Sequence, residues 1–598
     1  MIQMFKILPR KIKLFFMLGI FFTLINIAVT MILPVLLSQF ITLLINEQPT
    51  KEIVIFKWKI IGEYKYLLKL LIGSVVGLIL LGGITSISSI LIIIWAGENA
   101  SNHYRNTLFK KYQLLSLKDI ATFKEESLLT RINDDVAIFW EFLISASTAL
   151  IKAPLFICFG LIFAFLTDVQ FSYAIIAIVP VLVGVLAFIF IKVTPLIQKN
   201  RKNLDNITKE VTETINGAKF IKAYNLQEKQ FNKFDTTNKT WVNTESKIFK
   251  IFSIGTPAFF VIVNLIVVLI FIMAAKIIGD GNANGQLLAK INVFIEYEFI
   301  IALGIITFAQ FLSSFFRAKI SAKRITDVLN VKYDNLYVPN GYRIVSKGNK
   351  VNDVRNYGIE FKNVNFKYFE TSEDYAVKNI NFSVEGGQTL GIIGPTGSGK
   401  STLANLLVNN MKYTEGNILI NNNEVKDINT HDLHSKVGIV YQESLLYSGT
   451  ILSNVTFSKP NANEKEVEKA LNNACAYDFI KTFPDRLDHK VAQRGKSLSG
   501  GQKQRLSIAR TLLIDPKILI LDDSTSALDN ITTKKLINNI NNNYDCTTVI
   551  ISQKVNSIKH ANKILVMDKG EIVAQGTHEE LLKTCEWYRS INQNQLEQ

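Results

Sequence analysis

Along the first half of the chain, apolar residues run in long blocks. The first extends from Leu14 to about Ile45, interrupted by Asn26 and Pro34. Five more follow at about 67–96, 140–166, 171–193, 250–278 and 293–316. A helix needs about 20 apolar residues to cross a bilayer, so each block predicts a membrane span. The first block exceeds the 7–15 residue core of a secretory signal, roughly, and lacks a small-residue cleavage site, so it is expected to stay uncleaved. The intervals alternate. Those at 167–170 and 279–292 are short; those at 97–139 and 194–249 are long, polar and rich in Lys and Arg. The positive-inside bias puts the long pair on the cytoplasmic side, together with the N-terminal Lys6, Arg10, Lys11 and Lys13. Apolar residues recur in them at helical spacing, as at Leu108, Tyr112 and Leu115. At 1.5 Å per residue, about 20 helical residues beyond the bilayer reach about 30 Å, far enough to touch a soluble domain.

After Phe316 the pattern changes. Residues 321–357, with Pro339, Gly341 and Gly348, read as a linker. From Gly358 to residue 598, short β-branched runs alternate with helical stretches, the signature of an α/β domain. The expected division is a transmembrane domain at 1–320, the linker at 321–357 and a soluble domain at 358–598. Composition agrees. Hydrophobic residues make up 48% and charged residues only 19%, against about 25% charged in a soluble chain. That excludes the four soluble domains that 598 residues would otherwise suggest. The net charge of +16 is assigned to cytoplasmic loops, not to nucleic-acid binding. The cysteines, Cys158, Cys475, Cys546 and Cys585, form no CxxC pair, which argues against a disulfide framework or zinc site. His431 and His434 lack acidic or thiol company and read as solvated side chains.

Polar residues within spans are costly and point to function by default. Asn26, Asn264, Gln310, Glu296 and Glu298 qualify. Glu296 and Glu298 point about 200° apart on a helix, so they form no paired site; an interfacial position is expected for both. Phe308, Phe311 and Phe315 form a stripe read as helix packing or lipid contact.

In the soluble half one run matches GxxxxGK[ST] in full, between a strand and a helix: Gly394-Pro395-Thr396-Gly397-Ser398-Gly399-Lys400-Ser401-Thr402. Gly394, Gly397 and Gly399 let the backbone turn its N–H groups toward phosphate oxygens. A helix starting near Lys400 adds its positive end. Lys400 supplies a charge to the β- and γ-phosphates, and Ser401 a hydroxyl ligand for Mg²⁺. The apolar strand Lys517–Leu521 ends in Asp522 and Asp523; Asp522 suits the Mg²⁺ shell. Between them lies Leu498-Ser499-Gly500-Gly501-Gln502, a second glycine-rich anion cradle before a helix expected to start near Gln502.

These motifs, in this order and behind six spans, resemble the ATP-binding cassette exporters, in the half-transporter arrangement of six spans fused to one cassette. The resemblance covers almost the whole chain. It implies a membrane α-helical bundle with long cytoplasmic extensions joined to an α/β P-loop cassette. Leu498–Gln502 resembles the family signature motif. Tyr368 is similar to the aromatic that stacks on adenine, and Gln442 to the glutamine near Mg²⁺ and the membrane-domain contact. Ser526–Asp529 resembles the D-loop. Leu129–Asp135 and Gly217–Tyr224 resemble the intracellular loops whose coupling helices press on the cassettes. The resemblance further implies ATP and Mg²⁺ as cofactors, a cell-membrane location with the cassette in the cytoplasm, and head-to-tail pairing of two cassettes. Each ATP would lie between one chain's P-loop and the other's signature, so a single cassette needs a second half.

Two departures bear on that partner. The family usually has Glu after the Mg²⁺-binding Asp, as the base that polarises water; here it is Asp523. It usually has His in the switch loop; here it is Gln553. Gln493 replaces a further common Glu. The first two resemble the weakly hydrolytic subunit of heterodimeric exporters. A homodimer, and an ATP-gated regulatory protein that does not pump, are the alternatives. An importer is disfavoured, its halves being usually separate chains. A peptide exporter with its own peptidase is disfavoured because about 13 residues precede the first span, too few for a domain. A small molecule, a lipid and a peptide are all open as cargo.

Overall fold

Six apolar blocks give six helices, and most run on well beyond the apolar stretch. The computed structural model describes all residues except 46–49, 56–57, 280–284, 333–335, 346–352, 370–371 and 597–598. Gly348 of the expected linker and residues 280–284 of the expected short link lie outside the described residues. The chain divides into two units. One comprises residues 1–111 and 126–330, the other 112–125 and 331–598. The segment 112–125, expected within the transmembrane half, thus groups with the soluble half.

Among the described residues of the first unit, six helices, Arg10–Ile45, Tyr64–Tyr112, Val136–Thr167, Val169–Asn216, Gln227–Gly279 and Gly285–Leu329, are long and apolar enough to cross a membrane. The sixth continues through residues 321–329, which were expected to be linker. The reason lies in its pattern: Ala318, Ala322, Ile325 and Val328 are fully buried at three- and four-residue spacing, so one face still has a core to join. The third and sixth helices pack along each other, as do the fourth and fifth. Small residues permit the close approach. A Cβ at Gly160 would lie 2.6 Å from the Ile301 side chain. Phe311 and Phe315 pack on Phe142 of the third helix, with ring centroids 6.2 and 6.0 Å away. Asn26 donates to the Gly82 carbonyl at 3.0 Å, spending its polarity on the second helix.

The two glutamates part company. Glu296 is exposed, but Glu298 is 2% exposed and its Oε1 has no hydrogen-bond partner among the described residues. It lies 13 residues into its helix, about 20 Å along the axis. Glu298 is thus turned into the protein, and its helix extends on either side of the apolar block that contains it. A hairpin, Thr50–Ile55 with Trp58–Glu63, joins the first two helices. No sequence signal announced it. At the start of the third helix, Arg131–Asp135 forms a single π-helical turn. The Asp135 carboxylate accepts from Ser321 at 2.9 Å and pairs with Arg324 at 3.2 Å, tying the third helix to the sixth.

The second unit is built on a six-stranded sheet. Its order is Glu571–Gly576, Lys563–Asp568, Thr389–Ile393, Thr547–Ile551, Ile518–Asp522, Val437–Val440. All neighbours are parallel except the first pair. The strands Ile518–Asp522 and Thr547–Ile551 are buried at every residue, as expected where helices cover both faces of a parallel sheet. Beside it lies an antiparallel sheet of Ile359–Phe366, Val377–Val384, Glu415–Ile420 and Asn423–Glu424.

Candidate phosphate cleft of the cassette

In an open parallel sheet, ligands bind beyond the carboxyl ends of the strands. Four such ends meet here. Thr389–Ile393 runs into the glycine loop, Ile518–Asp522 into Asp523, Thr547–Ile551 into Ser552 and Gln553, and Val437–Val440 into Tyr441 and Gln442. One cleft is lined by Tyr368, Thr396, Gly397, Gly399, Lys400, Ser401, Thr402, Gln442, Asp522, Asp523 and Gln553, together with Ala376, Ile551 and Ser552. The sequence motifs, scattered over nearly two hundred positions, are thus brought to one place by strand order.

The glycine loop needs its glycines. A Cβ at Gly394 would meet the Met567 carbonyl at 2.2 Å. Gly399 has φ +95° and caps the helix Lys400–Leu407, a backbone conformation natural to glycine. Lys400 Nζ lies over the loop, donating to the carbonyls of Gly394 at 2.9 Å and Pro395 at 2.6 Å. Burial pushes its ammonium below the ordinary lysine range, while Asp523 and Asp522 act the other way. Ser401 Oγ donates to Asp522 Oδ1 at 2.8 Å. This hydroxyl and carboxylate form a hard oxygen pair. Mg²⁺ takes one or two protein oxygens and completes its octahedron with phosphates and water, and the pair fits that demand.

Asp522 is 3% exposed. Burial lifts its carboxyl above the usual aspartate range, with Asp523 adding to the effect and Ser401 and Lys400 opposing it. Asp523 turns away from the strand with φ +47°. Burial lifts its carboxyl too, against hydrogen bonding from the Gln553 backbone and the charge of Lys400. Gln442 Nε2 donates to Asp523 Oδ2 at 3.1 Å. Tyr368 hydrogen-bonds through its hydroxyl to Thr402 Oγ1 at 2.9 Å, and its side chain stays 42% exposed. The ring is anchored at its tip and open to a stacking partner.

The signature residues stand elsewhere. Ser499, Gly500, Gly501 and Gln502 do not line this cleft. The helix begins at Gly500, two residues before the expected start, because Ser499 caps it. Ser499 Oγ accepts from the Gln502 N–H at 3.3 Å, and Gln502 Oε1 accepts from the Ser499 N–H at 2.9 Å, a reciprocal capping box. The N–H groups of Gly500 and Gly501 occupy the first turn, where a helix has no acceptors of its own.

Within the same unit, the capped helix Leu117–Phe123 shares a cavity with the cassette. Ser116, Leu117, Lys118 and Ala121 line it with Phe366, Tyr368 and Phe369. This helix precedes the Leu129–Asp135 segment singled out in the sequence. Other residues of the site carried no motif. Gln504 accepts from the Ala527 N–H at 3.1 Å and so fixes the D-loop. Lys554 Nζ donates to the carbonyls of Ser526 and Leu528 at 3.4 and 3.3 Å. Ser552 could have been found as the first residue after a buried strand.

Comparison with known proteins agrees with this geometry. Residues 16–303 match the ABC transporter transmembrane region, and residues 377–526 match the ABC transporter domain. A Mycoplasma genitalium protein named as an ABC transporter ATP-binding protein is 33% identical over 538 residues, covering 87% of this chain and 85% of its own length. An uncharacterized ABC transporter ATP-binding protein of Bacillus subtilis is 33% identical over 500 residues, covering 83% of this chain and 84% of its own. The fold of a bacterial Atm1-family ABC exporter with ATP bound superposes with a TM-score of 0.78, at 22% identity, over 98% of this chain and 99% of that one. With both regions present in one chain and relatives similar along most of their length, this chain belongs to the ABC transporters, as an exporter-type half-transporter whose ATPase is coupled to transport.

Proposed function

We propose that this chain is one half of a heterodimeric exporter of the cytoplasmic membrane, with its cassette in the cytoplasm. Its own P-loop site binds Mg·ATP and hydrolyses it slowly. Its Ser499–Gln502 segment completes the working site on a different partner chain.

The observation that carries this reading is the pair at the phosphate end of the cleft, Asp523 and Gln553. Where the family has a glutamate base, Asp523 is one methylene shorter, and its Oδ2 is already engaged by Gln442. A misplacement of about 1 Å can cost about 10²-fold in rate. Gln553 can donate a hydrogen bond to a γ-phosphate but cannot take up a proton near neutral pH. In this reading the glycine-loop N–H groups and Lys400 take the phosphates, the Tyr368 ring the base, and Ser401, Asp522 and Gln442 would surround Mg²⁺. The metal would neutralise charge on the β- and γ-phosphates. Capping leaves the Gly500 and Gly501 N–H groups free for a phosphate held by the partner.

The test is an asymmetry in the assembled complex. Asp523→Asn should change steady-state ATPase only a few fold. Gly501→Asp should nearly abolish it, because two like charges about 4 Å apart repel by about 4 kcal/mol at an effective dielectric of 20, or two to three decades in rate, roughly. A Cβ at Gly501 would also lie 3.0 Å from the Ala527 carbonyl, so Gly501→Ala separates crowding from charge and should be the milder change. If Asp523→Asn is as damaging as Gly501→Asp, this chain's own site is catalytic and the homodimer replaces the heterodimer.

A further inference from the structure

The switch loop is held from behind by the far end of the chain. Gln595 stands in the last turn of the helix Glu586–Leu596. Its Nε2 donates to the Gln553 carbonyl at 2.8 Å, and its Oε1 accepts from the Val555 N–H at 2.8 Å. One side-chain amide therefore straddles Lys554 and fixes the peptides on both sides of it. Gln553 is held at its other end too, since its backbone hydrogen-bonds to the Asp523 carboxylate. With both sides of that residue fastened, the origin and direction of its side chain are set, and that side chain lines the cleft beside Lys400 and Asp523.

The helix that presents Gln595 is itself anchored. Tyr588 is fully buried, with its hydroxyl 2.7 Å from His578 Nδ1. Arg589 donates to the carbonyls of Leu582 and Lys583 at 2.7 and 2.8 Å, closing the end of the helix His578–Thr584. Tyr588 and Gln595 are seven residues apart, two turns along one face. An anchor at Tyr588 thus determines where the Gln595 amide arrives.

We infer that Gln595 is a positioning residue for the switch loop, tuning how the cassette reads the γ-phosphate through Gln553. This rests on the reading of Gln553 as the switch residue. A simpler role competes: Val555 opens the short helix Val555–Ile558, which has no side-chain cap from Lys554, so Gln595 Oε1 alone could serve as that cap. The two roles separate chemically. Glutamate at 595 keeps the acceptor for the Val555 N–H and loses the donor to the Gln553 carbonyl.

The experiment uses the full-length chain in lipid nanodiscs and measures Mg·ATP and Mg·ADP affinities by displacement of a fluorescent nucleotide. ADP lacks the γ-phosphate, so ADP affinity reports the P-loop and fold without the switch. Gln595→Ala and Gln595→Glu should each weaken ATP about five-fold, the worth of one intramolecular hydrogen bond, with ADP unchanged. Gln553→Ala should lose at least as much for ATP alone. Gln593→Ala, exposed on the same helix, should alter neither. The inference is overturned if Gln595→Ala binds ATP as the native chain does, if Gln595→Glu does so, or if ADP weakens in step with ATP. If Gln553→Ala leaves the ATP-to-ADP ratio unchanged while ATP still binds, the switch reading fails and takes this inference with it. Failure of ATP to displace the probe from the native chain would instead overturn the P-loop reading.

Discussion

Asp522, the carboxylate proposed for Mg²⁺, shows what a buried acid costs its own fold. It is nearly inaccessible, and burial lifts its carboxyl above the usual aspartate range. A folded-state value above the unfolded one means the folded protein holds the proton more tightly, so at neutral pH the ionised group detracts from stability. Asp522→Asn should keep the Ser401 hydrogen bond and raise the Tm of the cassette transition. The gain should shrink as pH falls from the raised value toward the ordinary one, because both states are then protonated. Mg²⁺-dependent ATP binding should be lost in the same variant. Thermal melts at neutral and acidic pH, with ATP titrations, check both signs. Lys400 makes the complementary case. Lys400→Ala removes the cation proposed to face the phosphates and should weaken ATP occupancy of this chain's site. If the second half is the more active one, as proposed, it should lower total turnover of the assembled pair only in part. Occupancy left unchanged by the substitution would remove Lys400 from its assigned role.

Polar side chains tie neighbouring helices of the first unit together, and one tie is an ion pair with a buried carboxylate. Arg324 on the sixth helix bonds the Thr130 hydroxyl at 3.0 Å and the Asp135 carboxylate, which is 3% exposed. Arg324→Ala would leave that carboxylate buried without its cation. Breaking a buried pair costs roughly 3–5 kcal/mol; the Arg324 side chain is 37% exposed, so about 2 kcal/mol is expected after screening. Asp135→Asn in the same background should recover most of it, because the amide needs no counter-charge and still accepts from Ser321. Thermal unfolding of both variants in detergent distinguishes this from a general packing defect, which the second change would not repair. Asp135 is the last residue of the π-helical turn at Arg131–Asp135, where it meets the start of the third helix.

At the scale of the whole molecule, the proposed pairing assigns the signature and the P-loop of one chain to different sites. The signature residues lie outside the cleft that holds Lys400 and Asp523, which is the arrangement a shared, two-chain site requires. If the second half is a different chain, as proposed from Asp523 and Gln553, the chain expressed alone should show little ATPase, and with that partner it should purify in a one-to-one ratio. Robust hydrolysis by the chain alone, stimulated by a transported compound, would establish a homodimer in place of the heterodimer. Size-exclusion chromatography and steady-state ATPase on the two preparations make the measurement.

Much of this protein is written in local pattern. Bilayer crossing depends on about 20 consecutive apolar residues, and phosphate binding depends on a contiguous glycine loop before a helix, so the six spans and Gly394–Thr402 stand in the sequence itself. So do the chemical types at Asp523 and Gln553, on which the functional reading turns. Tertiary structure decided what no window of residues contains. The order of strands, with Thr547–Ile551 lying between Thr389–Ile393 and Ile518–Asp522, brings Gln442, Asp523 and Gln553 to one cleft. The same is true of the continued helix at 321–329, whose apolar face is silent until its neighbours are known, and of the burial of Glu298. Gln595 is the extreme case: nothing adjacent to it in the chain signals a role, because its two partners lie about 40 residues away and only packing of the terminal helix brings them within hydrogen-bond reach.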